Sequence, residues 1–143
     1  MRTDDQVHLD QVGDDGSVEE DDHGSPKSIG VLLVPEKVQG MTFVDDLLVL
    51  SASYGSKNSS LYFYRSPVYD IKSQKPSAKL AELPEWNLQE SYFIAKLRAP
   101  PMIEGIAWCP PKGLAAVFES TAKIYIGHKR KPLVDHVRIL KLR

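Results

Sequence analysis

The sequence predicts an all-β protein of two four-stranded antiparallel units preceded by one strand of a further unit, and three observations lead to this. A six-residue motif is written twice. Each copy is followed by short apolar runs divided by turn formers, and no stretch keeps apolar residues at i, i+3, i+4 and i+7 through three helical turns. Ten prolines and nine glycines punctuate the 143 residues, which also opposes long helices.

The chain opens on an acidic leader. Residues 1–27 hold nine acids against Arg2 and Lys27, a net charge of −7, and their larger aliphatic residues are Val7, Leu9, Val12 and Val18. So little apolar surface does not offset the entropy of ordering the segment, and the expectation is a disordered leader over 1–27 and a folded domain over 28–143. The folded part is mildly basic, with sixteen Lys and Arg against ten Asp and Glu. No apolar run approaches the roughly 20 residues of a membrane helix, so no membrane partner is expected. Cys109 is the single cysteine, which rules out an intrachain disulfide.

The repeat supplies the strands. Val38-Gln39-Gly40-Met41-Thr42-Phe43 matches Ile103-Glu104-Gly105-Ile106-Ala107-Trp108 in kind at every position. Second strands follow at Leu47 to Ser51 and Leu114 to Phe118, and third strands at Leu61 to Tyr64 and Ala122 to Ile126. The fourth pair is Phe93 to Arg98 and Arg138 to Arg143, which share a Lys-Leu-Arg ending. The first unit then spans 39–98 with an inserted loop over 66–90, read as a surface flap pinned by Trp86 and Tyr69. The second spans 104–143. Ile29 to Leu33 reads as the fourth strand of a preceding unit whose other strands are absent. Met41, Phe43, Ile106 and Trp108 are expected as a buried packing layer between the units.

At Ile103-Glu104-Gly105-Ile106-Ala107 and at the closing stretch Pro132-Leu133-Val134-Asp135-His136-Val137 the chain resembles the last blades of six-bladed β-propellers of the gluconolactonase, NHL-repeat and strictosidine-synthase-like kind. The resemblance covers about 115 residues and implies two propeller-type blades plus one strand of a preceding blade. Two blades do not close a ring, so the expected partners are further copies in a homo-oligomer or missing propeller blades.

The resemblance also implies the candidate site. Glu104, at the start of an innermost strand, would face the axial channel where such enzymes hold a divalent metal. Gln39 occupies the matching position of the first blade; from the residues themselves, Glu119 beside Ser120 and His136 in the folded part are the other candidate binding residues. Ser51, Ser53 and Ser120 end second strands without a Gly-x-Ser-x-Gly elbow and read as turn residues. The basic turn His128-Lys129-Arg130-Lys131 lacks the flanking aromatics of a stacking ladder, so nucleic acid is not an expected partner. Asn58-Ser59-Ser60 fits a glycosylation acceptor. No cofactor is expected. The functional reading is a non-catalytic propeller-type scaffold or binding module, with the C-terminal part of a metal-dependent hydrolase or lactonase as the alternative.

Overall fold

Alternating apolar residues separated by turn formers fold into ten strands and two short helices within residues 5–73, 83–118 and 136–141, the parts that the computed structural model describes. In chain order these are β1 (Asp5–Asp10), β2 (Ser28–Val34), β3 (Val38–Val44), β4 (Leu47–Ala52), β5 (Ser59–Arg65), α1 (Val68–Ser73), β6 (Glu85–Asn87), α2 (Leu88–Ser91), β7 (Phe93–Ala99), β8 (Ile103–Cys109), β9 (Gly113–Phe118) and β10 (His136–Leu140). They form three sheets of order β1-β2-β6, β3-β4-β5-β7 and β10-β9-β8. The all-β class read from the sequence is the class observed. Among the described residues no helix is long and apolar enough to cross a membrane.

The four-stranded sheet is the middle layer. Its strands are those read for the first unit, each antiparallel to its neighbour. Asp45 and Asp46 alone join β3 to β4, and Asp45 takes a left-handed φ of 51°, which aspartate tolerates better than most residues. Period-two alternation sends Leu48, Leu50 and Tyr64 to one face, where they pack with Leu32, Val34, Trp86 and Leu88. Val49, Leu61 and Phe63 go to the other and pack with Ile103, Leu114, Ala116 and Phe118. Burial on both faces explains why β4 reads as an unbroken apolar run rather than an alternating one.

The first sheet departs from the sequence reading. Within the leader expected to be disordered, β1 pairs antiparallel with β2 from Asp5↔Val34 to Asp10↔Ser28. Val7 and Leu9 face the core while Gln6 and His8 face out, an alternation that the acidic composition hides. The acids between β1 and β2 serve as turn formers. Asp15 accepts from the Ser17 hydroxyl at 2.6 Å and its N–H at 2.9 Å, and these bonds hold its carboxyl below the ordinary value. Nor does Ile29 to Leu33 belong to a unit lacking its other strands, because β2 pairs with β1 on one side and in parallel with β6 on the other.

β6 lies inside the inserted loop, so that loop is more than a surface flap. Trp86 is buried against Gly30, where even a Cβ would overlap the indole ring. The side chain of Tyr69, the other expected pin, lies outside the described residues. Besides Trp86, the loop is held by Tyr92, which is buried and donates its hydroxyl to Asp70 Oδ2 at 2.6 Å, under the Arg65 guanidinium at 4.8 Å from the ring centre. Arg65 also pairs with Asp70 at 3.8 Å.

In the third sheet the β8–β9 hairpin follows the reading, but β10 does not. His136 to Leu140 lies directly beside β9, the place read for Ala122 to Ile126, which fall outside the described residues. β-Branched Val137 and Ile139 stand opposite Val117 and Ala115, a pairing that fits there regardless of the shared Lys-Leu-Arg ending.

β3 and β8, the edge strands of their sheets, meet at the repeated motif. A Cβ on Gly40 would lie 2.8 Å from the Ile106 nitrogen and 3.0 Å from the Gly105 Cα, so the backbones touch where neither motif carries a side chain. Three hydroxyls complete the contact: Trp108 N–H donates to Thr42 Oγ1 at 3.1 Å, Ser53 Oγ donates to the Ile103 carbonyl at 2.8 Å, and Ile103 N–H donates to Ser59 Oγ at 3.3 Å. Gly40, Thr42 and Val44 thus share the face toward the third sheet. Met41 and Phe43 take the opposite face of an edge strand and remain 43% and 46% exposed, so the buried four-residue layer expected from the sequence does not form. Ile106 and Trp108, half-buried, do pack on the core.

Gly40→Ala is expected to destabilise the protein by about 1–3 kcal/mol, since the new methyl overpacks backbone that cannot rotate away; the urea unfolding midpoint measures this. A second expectation concerns pH. Burial first, and the bond to Asp70 second, raise the Tyr92 hydroxyl above its ordinary value of 10.0. The unfolded chain therefore ionises first, so the contribution of Tyr92 is complete below pH 10 and is lost as pH rises toward the folded value. Stability against alkaline pH should fall more steeply in the wild type than in Tyr92→Phe.

Candidate functional site

The residues singled out by the sequence meet only in part. In β3 the register shifts between Val38 and Gly40, and in β8 between Ile103 and Gly105, so Gln39 and Glu104 are the bulged residues of matching bulges. Both flank the close approach of Gly40 to Gly105. Gln39 is exposed and Glu104 half-buried. The His136 backbone starts β10 opposite Phe118, which itself stands opposite Ile103, two strands from the β8 bulge. Glu119, Ser120 and the run 128–131 lie outside the described residues. Among those described, no group of three His, Cys, Asp or Glu residues could hold a metal ion. Ser51 and Ser53, read as turn residues, are both buried, and Ser53 is committed to the β8 backbone.

A different site is assembled by register. A groove of about 690 Å³ runs between the β2–β3 link and the face of the middle sheet that carries Tyr62, and an adjoining hollow of about 400 Å³ continues it along β7. The strand order places Tyr62 opposite Lys96 and Ser60 opposite Arg98, so Lys96 and Arg98 lie on one face. Lys37 comes from the β2–β3 link, and Tyr54, Lys57 and Asn58 from the loop between β4 and β5. Two aromatic rings carry ammonium groups: Lys96 Nζ sits 5.1 Å from the Tyr62 centre and Lys37 Nζ 5.3 Å from that of Tyr54. Asn58 offers its amide oxygen to Arg98 Nε and Nη2.

No family model matches the chain, nor does any curated protein or solved structure.

The chemistry of the groove follows from its lining. Lys37, Lys57, Lys96 and Arg98 face one carboxylate, Glu36, with no histidine or cysteine among the lining residues. The hydroxyls of Ser53 and Ser59 are already engaged with Ile103. The charged side chains of the lining are thus mostly cationic. The backbone is firm where the groove begins: Lys37 takes a left-handed φ of 65°, and its carbonyl accepts from Ser53 N–H at 3.1 Å. A sequence scan misses the site because Lys37, Lys57 and Lys96 stand far apart in the chain. The signal present is the Lys96-Leu97-Arg98 alternation, which becomes a charged row only once β7 is placed beside β5.

The third sheet presents a second unusual surface. Its face away from the core carries, among the described strand residues, Ala107, Ala115, Val117, Val137 and Ile139, all five uncharged and with Val137 63% exposed. The outward row of the first sheet differs, since Gln6, His8, Glu85 and Asn87 flank Val31 and Leu33, and Val31 is buried.

Ser59, 1% exposed, supports the groove floor while it satisfies Ile103 N–H. Ser59→Ala should leave that buried donor unpartnered and destabilise the protein by about 1–3 kcal/mol, with the loss read from thermal or denaturant unfolding.

Proposed function

We propose that this chain is a non-catalytic scaffold or binding module of propeller type, a stack of sheets that is finished at one end and continued at the other by a second copy. The observation that carries the reading is the outward face of the third sheet: a row of small and β-branched residues without charge, of the kind a further sheet would cover. The propeller-type arrangement is supported by the face-to-face packing of the sheets, by the meeting of β3 and β8, and by the matching bulges at Gln39 and Glu104.

A second copy is the favoured occupant because an uncharged apolar face is complementary to itself, which suits an isologous two-fold contact. A head-to-tail ring would bring this face onto the outward row of the first sheet, where Gln6, His8 and Glu85 would lose water without partners. The strand at Ile29 to Leu33 does not complete a neighbouring copy either, since both its edges are paired within the chain.

Light scattering on the full chain is expected to give the mass of a dimer. Val137→Asp or Ile139→Asp should give a monomer that keeps the wild-type circular dichroism. A wild-type monomer over a wide concentration range overturns the proposal.

A further inference from the structure

We infer that the groove on the middle sheet binds a phosphomonoester joined to a flat ring, a ligand of the nucleoside monophosphate class. The groove of about 690 Å³ that Tyr54, Lys57 and Lys96 line suits such a molecule, since small-ligand pockets span roughly 300–1,000 Å³, and Arg98 lines the adjoining hollow that shares Lys96 and Asn58 with it. Lys96 and Arg98 stand two residues apart on one strand face, about 7 Å along β7, with Lys57 on the loop beside them. No described carboxylate forms an ion pair with Lys57, Lys96 or Arg98. A phosphate monoester brings close to two negative charges and three acceptor oxygens, which answers this set of donors. The Asn58 amide oxygen accepts from Nε and Nη2 of Arg98, which holds the guanidinium plane and leaves its Nη1 end for an anion.

The ring half rests on Tyr54, which is 65% exposed and carries the Lys37 ammonium over its ring. At that exposure Tyr54 can stack a flat ring, while the half-buried Tyr62 is packed under Lys96. One open aromatic platform beside one cluster of cations fits a single nucleotide; a strand of nucleic acid uses successive platforms. The groove lies away from the outward face of the third sheet, so the inference does not depend on dimer formation.

Titration calorimetry of the full chain at low salt with adenosine monophosphate, adenosine and inorganic phosphate tests both halves. The monophosphate is expected to bind at least tenfold more tightly than either part alone and to weaken as salt is added. Lys96→Glu with Arg98→Glu should reduce its affinity at least tenfold with the unfolding midpoint retained. Amide resonances of residues 54, 96 and 98 should shift on titration of the wild type, which checks the site without a variant. Absence of binding, equal affinity for inorganic phosphate, or wild-type affinity in the double variant overturns the inference.

Discussion

The contact between β3 and β8 at Gly40 governs the architecture. Two sheet edges expose unpaired backbone groups, and here they approach so closely that no side chain fits between Gly40 and the backbone of Gly105 and Ile106. The orphaned polar groups of β8 are met by hydroxyls of the middle sheet and its loops, Thr42, Ser53 and Ser59. This arrangement fixes the third sheet against the second without continuing the hydrogen-bond ladder from one to the other. Apolar packing of Ile103, Leu114 and Phe118 on Val49 and Phe63 then follows from the alternation already imposed by the strands.

That contact also ties the groove to the core. Ser53 and Ser59 flank the loop that carries Tyr54, Lys57 and Asn58, and both hydrogen-bond to Ile103. The loop is thereby anchored at each end, and Ser53 N–H in turn holds the Lys37 carbonyl. Binding residues on a loop gain precision from such anchors, because less conformational entropy remains to be lost when a ligand arrives. The positively charged side of the protein is therefore built on the same residues that join its sheets.

The strands of the middle sheet and the β8–β9 hairpin were legible because turn residues bracket apolar runs at hairpin spacing. Three features were not. β1 was hidden by composition: counting acids in 1–27 obscures the placement of Val7 and Leu9 two residues apart. β6 is three residues long and pairs in parallel with a strand over fifty residues away, a signal that local periodicity does not carry. The exposure of Met41 and Phe43 depends on which face of an edge strand a neighbouring sheet covers, and alternation alone leaves that choice open. For the site, the motif located Gln39 and Glu104 at matching bulges, yet the cationic groove is a product of strand register and was invisible in the linear order.

The parallel pairing of β6 with β2 has a consequence for how the chain reaches this state. β6 leaves the middle sheet after β5, joins the first sheet, and the chain then returns to the middle sheet as β7. The first sheet is thus incomplete until the chain between β5 and β7 has been drawn across it, and Val31 must find Glu85 over a long loop. Closing loops of that length has an entropic cost that local hairpins avoid, so β3–β4 and β8–β9 are the natural early contacts and the β2–β6 pair a late one. Trp86 seated on Gly30 locks β6 to β2 within the first sheet, and its packing with Leu48, Leu50 and Tyr64 ties that sheet to the middle one.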